Sequence, residues 1–222
     1  MLFNYFLLAL RNVRKQRGYA IINTLGLAIG LASAIFIFLY VRHERTYDTF
    51  HPFADQTYRL GYRIEFKNDQ TENYAASPAG WDNYIKNTYS GVSGITSFTS
   101  TAMPSKIYLE DADKIVLTED SIWAESNLDD IIFIPLIKGD FKSPLKDVNS
   151  MLLCESAAKE LFGTEDPINK LVNISHEYMT NGQKVTMTIS GVYKDFPTNT
   201  DLRPKYILNI LSLKPYIENL EA

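Results

Sequence analysis

Residues 18–41 form a run of 24 positions without a charged side chain, and Arg11, Arg14, Lys15 and Arg17 stand just before it. No other feature constrains the chain as strongly. A helix over residues 21–41 is about 32 Å long at about 1.5 Å per residue, matching a hydrocarbon core of about 30 Å. Twelve of those 21 residues are Leu, Ile, Val or Phe, each favouring insertion by about 0.3–0.6 kcal/mol, and no central charge opposes them. The run reads as a transmembrane helix over 21–41.

Charge gives the orientation. Residues 1–41 hold four Lys/Arg and no Asp/Glu, so they carry +4; the whole chain is −4, which leaves residues 42–222 at −8. The basic end is expected to stay in the cytoplasm and the long acidic part to be exported. A cleaved signal peptide is the rival reading, because Ala32-Ser33-Ala34 has the small-x-small form of a cleavage site. Against cleavage, the apolar run continues through Ile35-Phe36-Ile37-Phe38-Leu39-Tyr40-Val41.

In the leader, residues 1–20, Leu2, Phe3, Phe6, Leu7, Leu10 and Val13 recur at helical spacing, with the cations gathered toward the span. This pattern fits an amphipathic helix in the headgroup layer, in contact with membrane lipid. It fits the apolar start of one long helix as well. Within the span, Gly26, Gly30 and Ala34 are four residues apart. Such a stripe lets a second helix approach closely, so these three are candidates for helix packing. Asn23, Thr24 and Ser33 can add interhelical hydrogen bonds.

The exported part, about 180 residues, is long enough to bury a core. Cys154 is the only cysteine, so no intramolecular disulfide can form. It follows Met151-Leu152-Leu153 and reads as a core residue. The pattern along the chain is α+β. Residues 42–56 read as a stalk, helical to about residue 49 and broken at His51-Pro52. The domain itself is expected over 57–222. Strict alternation over 57–66 predicts a half-buried strand, with Tyr58, Leu60, Tyr62, Ile64 and Phe66 on one face. Ser77-Pro78 predicts the start of a helix running to about residue 89. A strand is expected over 95–101 and a hairpin from 106–109 and 115–117. Trp123 and residues 131–137 read as buried. Residues 155–162 predict a helix ending at Gly163. Strands are expected over 172–175 and 185–192, with Asn181-Gly182 as a turn, and a last one over 206–211.

Searching for chemistry excludes several classes. No GxxxxGK[ST] phosphate loop and no G-x-S-x-G nucleophile elbow is present. His43, His51 and His176 are dispersed, and no HExxH follows His43-Glu44. The pairs Asp111/Asp113 and Asp129/Asp130 lack the spacing of a calcium loop and read as solvated. The acidic balance disfavours nucleic acid as a partner. The expectation is therefore a protein that is not an enzyme, with no catalytic residue, no metal site and no cofactor.

An ordered set of short words adds a resemblance. They are Ala9-Leu10-Arg11-Asn12, then Ile22-Asn23-Thr24-Leu25-Gly26-Leu27-Ala28-Ile29-Gly30. Glu44-Arg45-Thr46-Tyr47-Asp48-Thr49-Phe50-His51 and Ala54-Asp55-Gln56-Thr57-Tyr58-Arg59-Leu60 follow the span. Further on come Gly139-Asp140, Glu155-Ser156-Ala157-Ala158-Lys159-Glu160-Leu161-Phe162-Gly163, Glu165-Asp166-Pro167-Ile168 and Ile189-Ser190-Gly191-Val192-Tyr193-Lys194-Asp195-Phe196-Pro197. Together they resemble the N-terminal part of the permease subunits of MacB/FtsX-type ABC transporters, with a MacB-like periplasmic core domain.

The resemblance implies a bacterial cytoplasmic (inner) membrane protein with a cytoplasmic N-terminus and a periplasmic domain. It implies pairing with a second permease copy, as a homodimer, and with a cytoplasmic ABC ATPase subunit, with a periplasmic partner acting at the domain. ATP-driven motion would pass through the stalk, and Tyr47, Asp48 and Phe50 are the candidates for docking that stalk onto the domain. Such permeases carry three further membrane helices, and no second apolar run of 18 residues follows Val41. The expectation is thus an N-terminal fragment that is not transport-competent alone. A single-span periplasmic binding or sensor protein is the alternative from another class, and a secreted protein beginning at Ile35 is a third.

Overall fold

The computed structural model describes residues 5, 11, 14–67, 70–78, 80–99, 103–109 and 114–217. It divides the chain into two compact units, Met1–Tyr47 and Asp48–Ala222.

The first unit is dominated by helix α1 (Arg17–Arg45), 29 residues with no buried side chain. It is long and apolar enough to cross a membrane, with a mean hydropathy of 2.2 in its most apolar window. Its end comes earlier than the sequence reading expects: the helix stops at Arg45 rather than near residue 49. The regular bonding ends just after it: the Tyr47 N–H donates only three residues back, to the Glu44 carbonyl at 3.3 Å, and Asp48 turns to a positive φ. Arg42, His43 and Arg45 lie in that last turn, where cations complement the helix dipole. The apolar leader residues fall outside the described residues.

The second unit is built on a mixed sheet of nine described strands. They are β3 (Phe98–Thr99), β4 (Ser105–Leu109), β5 (Lys114–Thr118), β6 (Ser121–Ala124), β7 (Leu136–Gly139), β8 (Ser150–Cys154), β9 (Leu171–Ser175), β10 (Val185–Tyr193) and β11 (Tyr206–Asn209). Their order is β3-β6-β11-β8-β10-β9-β4-β5, with β7 also paired to β10. Strand β8 is central, antiparallel to β11 and parallel to β10. It is buried at all five residues, which is why Ser150-Met151-Leu152-Leu153-Cys154 reads as a continuous run rather than an alternation. Helix α4 (Glu155–Phe162) follows at once, burying Ala157 and Leu161. It ends at Gly163, whose φ of +63° suits a residue without Cβ. Trp123, Leu128, Leu145, Met187, Ile189 and Leu208 complete the middle of the core.

Several expectations are corrected. The strand over 57–66 shrinks to β1 (Tyr62–Glu65), paired only with β2 (Thr71–Tyr74). Alternation survives there as half-buried Tyr62 and Ile64, but Tyr58 is 87% exposed because no strand runs beside it. The helix expected from Ser77-Pro78 begins later, as α2 (Trp81–Thr88), with Gly80 at φ +83° as its N-cap. Of the strand expected over 95–101, β3 is what the described residues show, and residues 100 and 101 lie outside them. Residues 131–137 split between the end of α3 (Leu128–Ile131) and β7, leaving Phe133 and Ile137 each 44% exposed. β11 stops at Asn209, whose side chain accepts from the Leu211 N–H at 2.9 Å and starts a 3₁₀ turn, Ile210–Leu213. Asn181 and Gly182 both have positive φ, as the turn reading requires, within the longer loop between β9 and β10.

Candidate functional site

The second unit begins with a clasp. Asp48 sits at φ +56°, a left-handed conformation that aspartate adopts more readily than most L-residues. Its backbone N–H donates to the Asn199 carbonyl at 2.9 Å. Its carboxylate Oδ1 accepts from the hydroxyl of Thr200, a fully buried residue, and from the Asp201 N–H at 3.3 Å. Residues 152 and 153 positions apart are thereby tied together by one carboxylate.

Aromatic packing backs these bonds. The Phe50 ring meets Phe196 edge-on at 5.6 Å and lies 3.9 Å from the His51 ring. Phe196 in turn packs on Tyr193 at 5.5 Å. Tyr193 is completely buried and donates its hydroxyl to the Pro204 carbonyl at 2.6 Å. The path from Asp48 and Phe50 therefore ends in the last residue of β10, the longest strand of the sheet. His51 completes the clasp. Burial lowers its pKa below the ordinary histidine value, with Asp48 pulling the other way. Its Nδ1 is buried and has no hydrogen-bond partner, so the neutral ring is the form this setting favours.

Of the three stalk candidates, Asp48 and Phe50 occupy this clasp. Tyr47 falls in the first unit, where its ring meets His43 edge-on at 5.9 Å. His51, Phe196 and the run Asn199-Thr200-Asp201 are the members that sequence reasoning missed. The last is a string of turn-forming residues after Pro197, which signals a loop and nothing about what it binds. The helix-packing candidates Gly26, Gly30 and Ala34 all lie on α1. A Cβ added at either glycine would meet nothing within 4 Å. Ser33 donates back to the Ile29 carbonyl at 2.9 Å.

A second cluster adjoins the clasp. Asp120, Cys154, Ser156, Asp195, Arg203 and Lys205 line a cavity of about 350 Å³. The Cys154 Sγ accepts from the Ala157 N–H at 3.4 Å and so caps α4. Burial pushes its thiol pKa up, which keeps it protonated and poorly nucleophilic. Ser156 donates to Asp195 Oδ1 through its hydroxyl at 2.6 Å. Burial alone would raise the Asp195 carboxyl; its contacts with Cys154 and Ser156 outweigh this and hold it below the ordinary range. Lys205 pairs with Asp120 at 3.1 Å. Charges here are matched within the cluster, and the carboxylate anchors the start of a helix, so the arrangement serves packing.

His176 is buried against Trp123, ring edge to face at 5.6 Å. Its Nδ1 accepts from the Tyr178 and Met179 N–H groups at 3.2 and 3.1 Å, which leaves Nε2 to donate to the Met103 carbonyl at 3.1 Å. It organises the loop after β9. Among the described residues no three His, Cys, Asp or Glu side chains are grouped as metal ligands. Asp111 and Asp113 lie outside the described residues. Burial raises the carboxyl of Asp129, against an opposing hydrogen bond from its own backbone.

Comparison with known proteins places this fold. A family pattern, the MacB-like periplasmic core domain, matches residues 20–217. Among solved structures, a domain of a protein described as a permease from Porphyromonas gingivalis is similar, at 26% identity and a TM-score of 0.53. That match covers 72% of this chain and 66% of the other. The periplasmic region of MacB from Actinobacillus actinomycetemcomitans is 18% identical, with a TM-score of 0.45, over 62% of this chain and 57% of its own. The extracellular domain of the noncanonic ABC-type transporter YknZ from Gram-positive bacteria is 16% identical, with a TM-score of 0.44, over 62% and 65%. The chain thus spans less than two thirds of each relative's length, and no curated protein matches it. Since the family pattern takes in nearly all of α1 and every described strand of the second unit, the chain is a member of the MacB-like periplasmic core domain family.

Proposed function

We propose that this chain serves as part of a permease of an ABC transporter of the MacB/FtsX type. In this reading α1 crosses the bacterial inner membrane with its N-terminus in the cytoplasm, and residues 48–222 work in the periplasm. ATP hydrolysis by a separate cytoplasmic subunit moves the helix, and the clasp passes that motion to the sheet. The domain acts by binding and movement rather than by catalysis. The family match across both the helix and the domain is the observation that carries this reading. The clasp supports it: a carboxylate with two donors and an edge-on aromatic pair resists being pulled out far better than a solvated linker. The four-residue spacing of Gly26, Gly30 and Ala34 along α1 supports a second copy as the helix partner.

The test is made on the native complex, purified from membranes through a tag on this protein. An ATPase subunit is expected to co-purify. Spin labels placed at Tyr178, an exposed residue of the domain, should report a distance between copies that changes when ATP is added. Asp48→Ala combined with Phe50→Ala should keep ATP hydrolysis and lose that change. A complex with no ATPase, whose label distances ignore ATP, would refute the reading in favour of a single-span periplasmic binding or sensor protein.

A further inference from the structure

The clasp holds one side chain whose two protonation states fit it unequally. The His51 ring lies 3.9 Å from the Phe50 ring and 6.5 Å from the Phe196 ring, so it meets apolar rings from both segments of the clasp. Its Nδ1 is buried and, among the described residues, has no hydrogen-bond partner. A neutral imidazole can leave that nitrogen as an unused acceptor. An imidazolium carries N–H on both ring nitrogens, so the cation always places a donor at Nδ1. In the closed clasp that donor is stranded. A buried donor without an acceptor is costly, and a charged one more so.

Two movements can satisfy the donor, and each undoes the clasp. The ring can swing out to water, which takes it away from both phenylalanines. Alternatively the Asp48 carboxylate can turn to it, which leaves the buried Thr200 hydroxyl and the Asp201 N–H without their acceptor. The charged groups on the two segments are Asp48 and Asp55 on one, and Lys194, Asp195, Asp201 and Arg203 on the other. Asp195 accepts from the Ser156 hydroxyl at 2.6 Å, and Arg203 donates to the Thr198 carbonyl at 3.5 Å. Asp48 is the one whose charge acts on His51, and burial outweighs its pull. We propose that His51 makes the clasp a pH-operated latch: the neutral ring lets residues 48–51 close onto residues 196–201, and protonation releases them while the sheet stays folded. The sign follows from linkage. An opened ring meets water and binds the proton more tightly than the closed one, so opening gains as pH falls below the ordinary histidine value of 6.5. The latch is a property of the fold and does not depend on the permease reading.

The experiment follows amide hydrogen exchange by NMR in the full chain, in detergent micelles, between about pH 7.5 and about pH 5. Protection, corrected for the pH dependence of intrinsic exchange, is read at Asp48 and Asp201, whose N–H groups bridge the two segments. The reference is Thr188, whose N–H donates to the Asn149 carbonyl at 2.7 Å where β10 meets β8. Relative to Thr188, protection at Asp48 and Asp201 is expected to fall at least about fivefold, in step with the titration of the His51 ring. His51→Phe keeps an aromatic ring that does not titrate and should hold protection level across the range. His51→Gln, polar and equally uncharged, should do the same and serves if the phenylalanine variant fails to fold. An equal fall in these variants would place the titration on another group. An equal fall at Thr188 would mean that the whole domain opens, and unchanged protection across the range would mean that the closed clasp does not yield to the charge. Each of these three results overturns the proposal.

Discussion

Asp48 makes two separable contributions to the clasp, and substitutions can isolate them. The first is the carboxylate, which accepts from the buried Thr200 hydroxyl and the Asp201 N–H. Removing the acceptor leaves Thr200 buried without it, a cost of about 1–3 kcal/mol. The second is the backbone at φ +56°. Alanine is less at home in that conformation and pays about 1 kcal/mol more than glycine there. Asp48→Ala should therefore destabilise the second unit by about 2–4 kcal/mol. Asp48→Gly should cost about 1 kcal/mol less than Asp48→Ala. Asp48→Asn keeps an Oδ1 acceptor and a residue type at home in this conformation, so it should cost about 1 kcal/mol or less.

Trp123 is 1% exposed in the core, so its fluorescence on urea unfolding of the full chain in detergent reports the domain. The expected order of stability is wild type, Asn, Gly, Ala. In thermal unfolding, about 2–4 °C per kcal/mol applies at this size, placing the alanine variant about 4–16 °C below wild type. Equal losses for alanine and glycine would refute the backbone argument. A loss under about 0.5 kcal/mol for alanine would refute the clasp itself, because an orphaned buried hydroxyl cannot be that cheap.

Further outcomes can be checked on the same protein. The His51 pKa is lowered in the fold, so the neutral ring is favoured; its stabilisation is complete above the unfolded value of 6.5 and is lost as pH falls from 6.5 through the folded value. His51→Phe should flatten the stability profile between pH 7 and 5 in urea titrations, and in Asp48→Asn the His51 pKa measured by NMR should fall further, since Asp48 is what raises it. Cys154 should resist thiol reagents in the native state and react fully in urea, and Cys154→Ala should be about 1 kcal/mol less stable than Cys154→Ser, which retains a cap for α4. Gly139 at φ +104° has the Ser190 carbonyl oxygen 2.2 Å from where a Cβ would stand, whereas Gly163 at φ +63° has nothing within 4 Å. Gly139→Ala should cost upward of about 3 kcal/mol and Gly163→Ala about 1 kcal/mol by chemical denaturation; similar costs would show that β7 can move away from β10.

What the sequence made legible, and what it hid, divides along a physical line. Local rules read well where the deciding contacts are local. The span follows from 24 uncharged residues, α4 from its glycine stop, and the β4–β5 hairpin from apolar runs either side of a turn. They failed where another segment decides. Alternation over 57–66 is as regular at Tyr58 as at Ile64, yet only the second has a neighbouring strand, opposite Glu72, to make the pattern real. The helix after Val41 stops where Tyr47 bonds only three residues back and Asp48 turns to a positive φ, before the proline that appeared to set its end. The clasp sits at the far limit of the same line. Asp48 and Phe50 could be singled out from words near the span, but their partners lie some 150 residues onward in a loop whose composition announces only a turn. Nothing in Thr200 itself says it will be buried, and its hydroxyl finds its acceptor in Asp48, 152 positions away. A contact made by tertiary packing has no local signature, so a residue such as Asp48, satisfied only by distant donors, shows its role only once the fold is known.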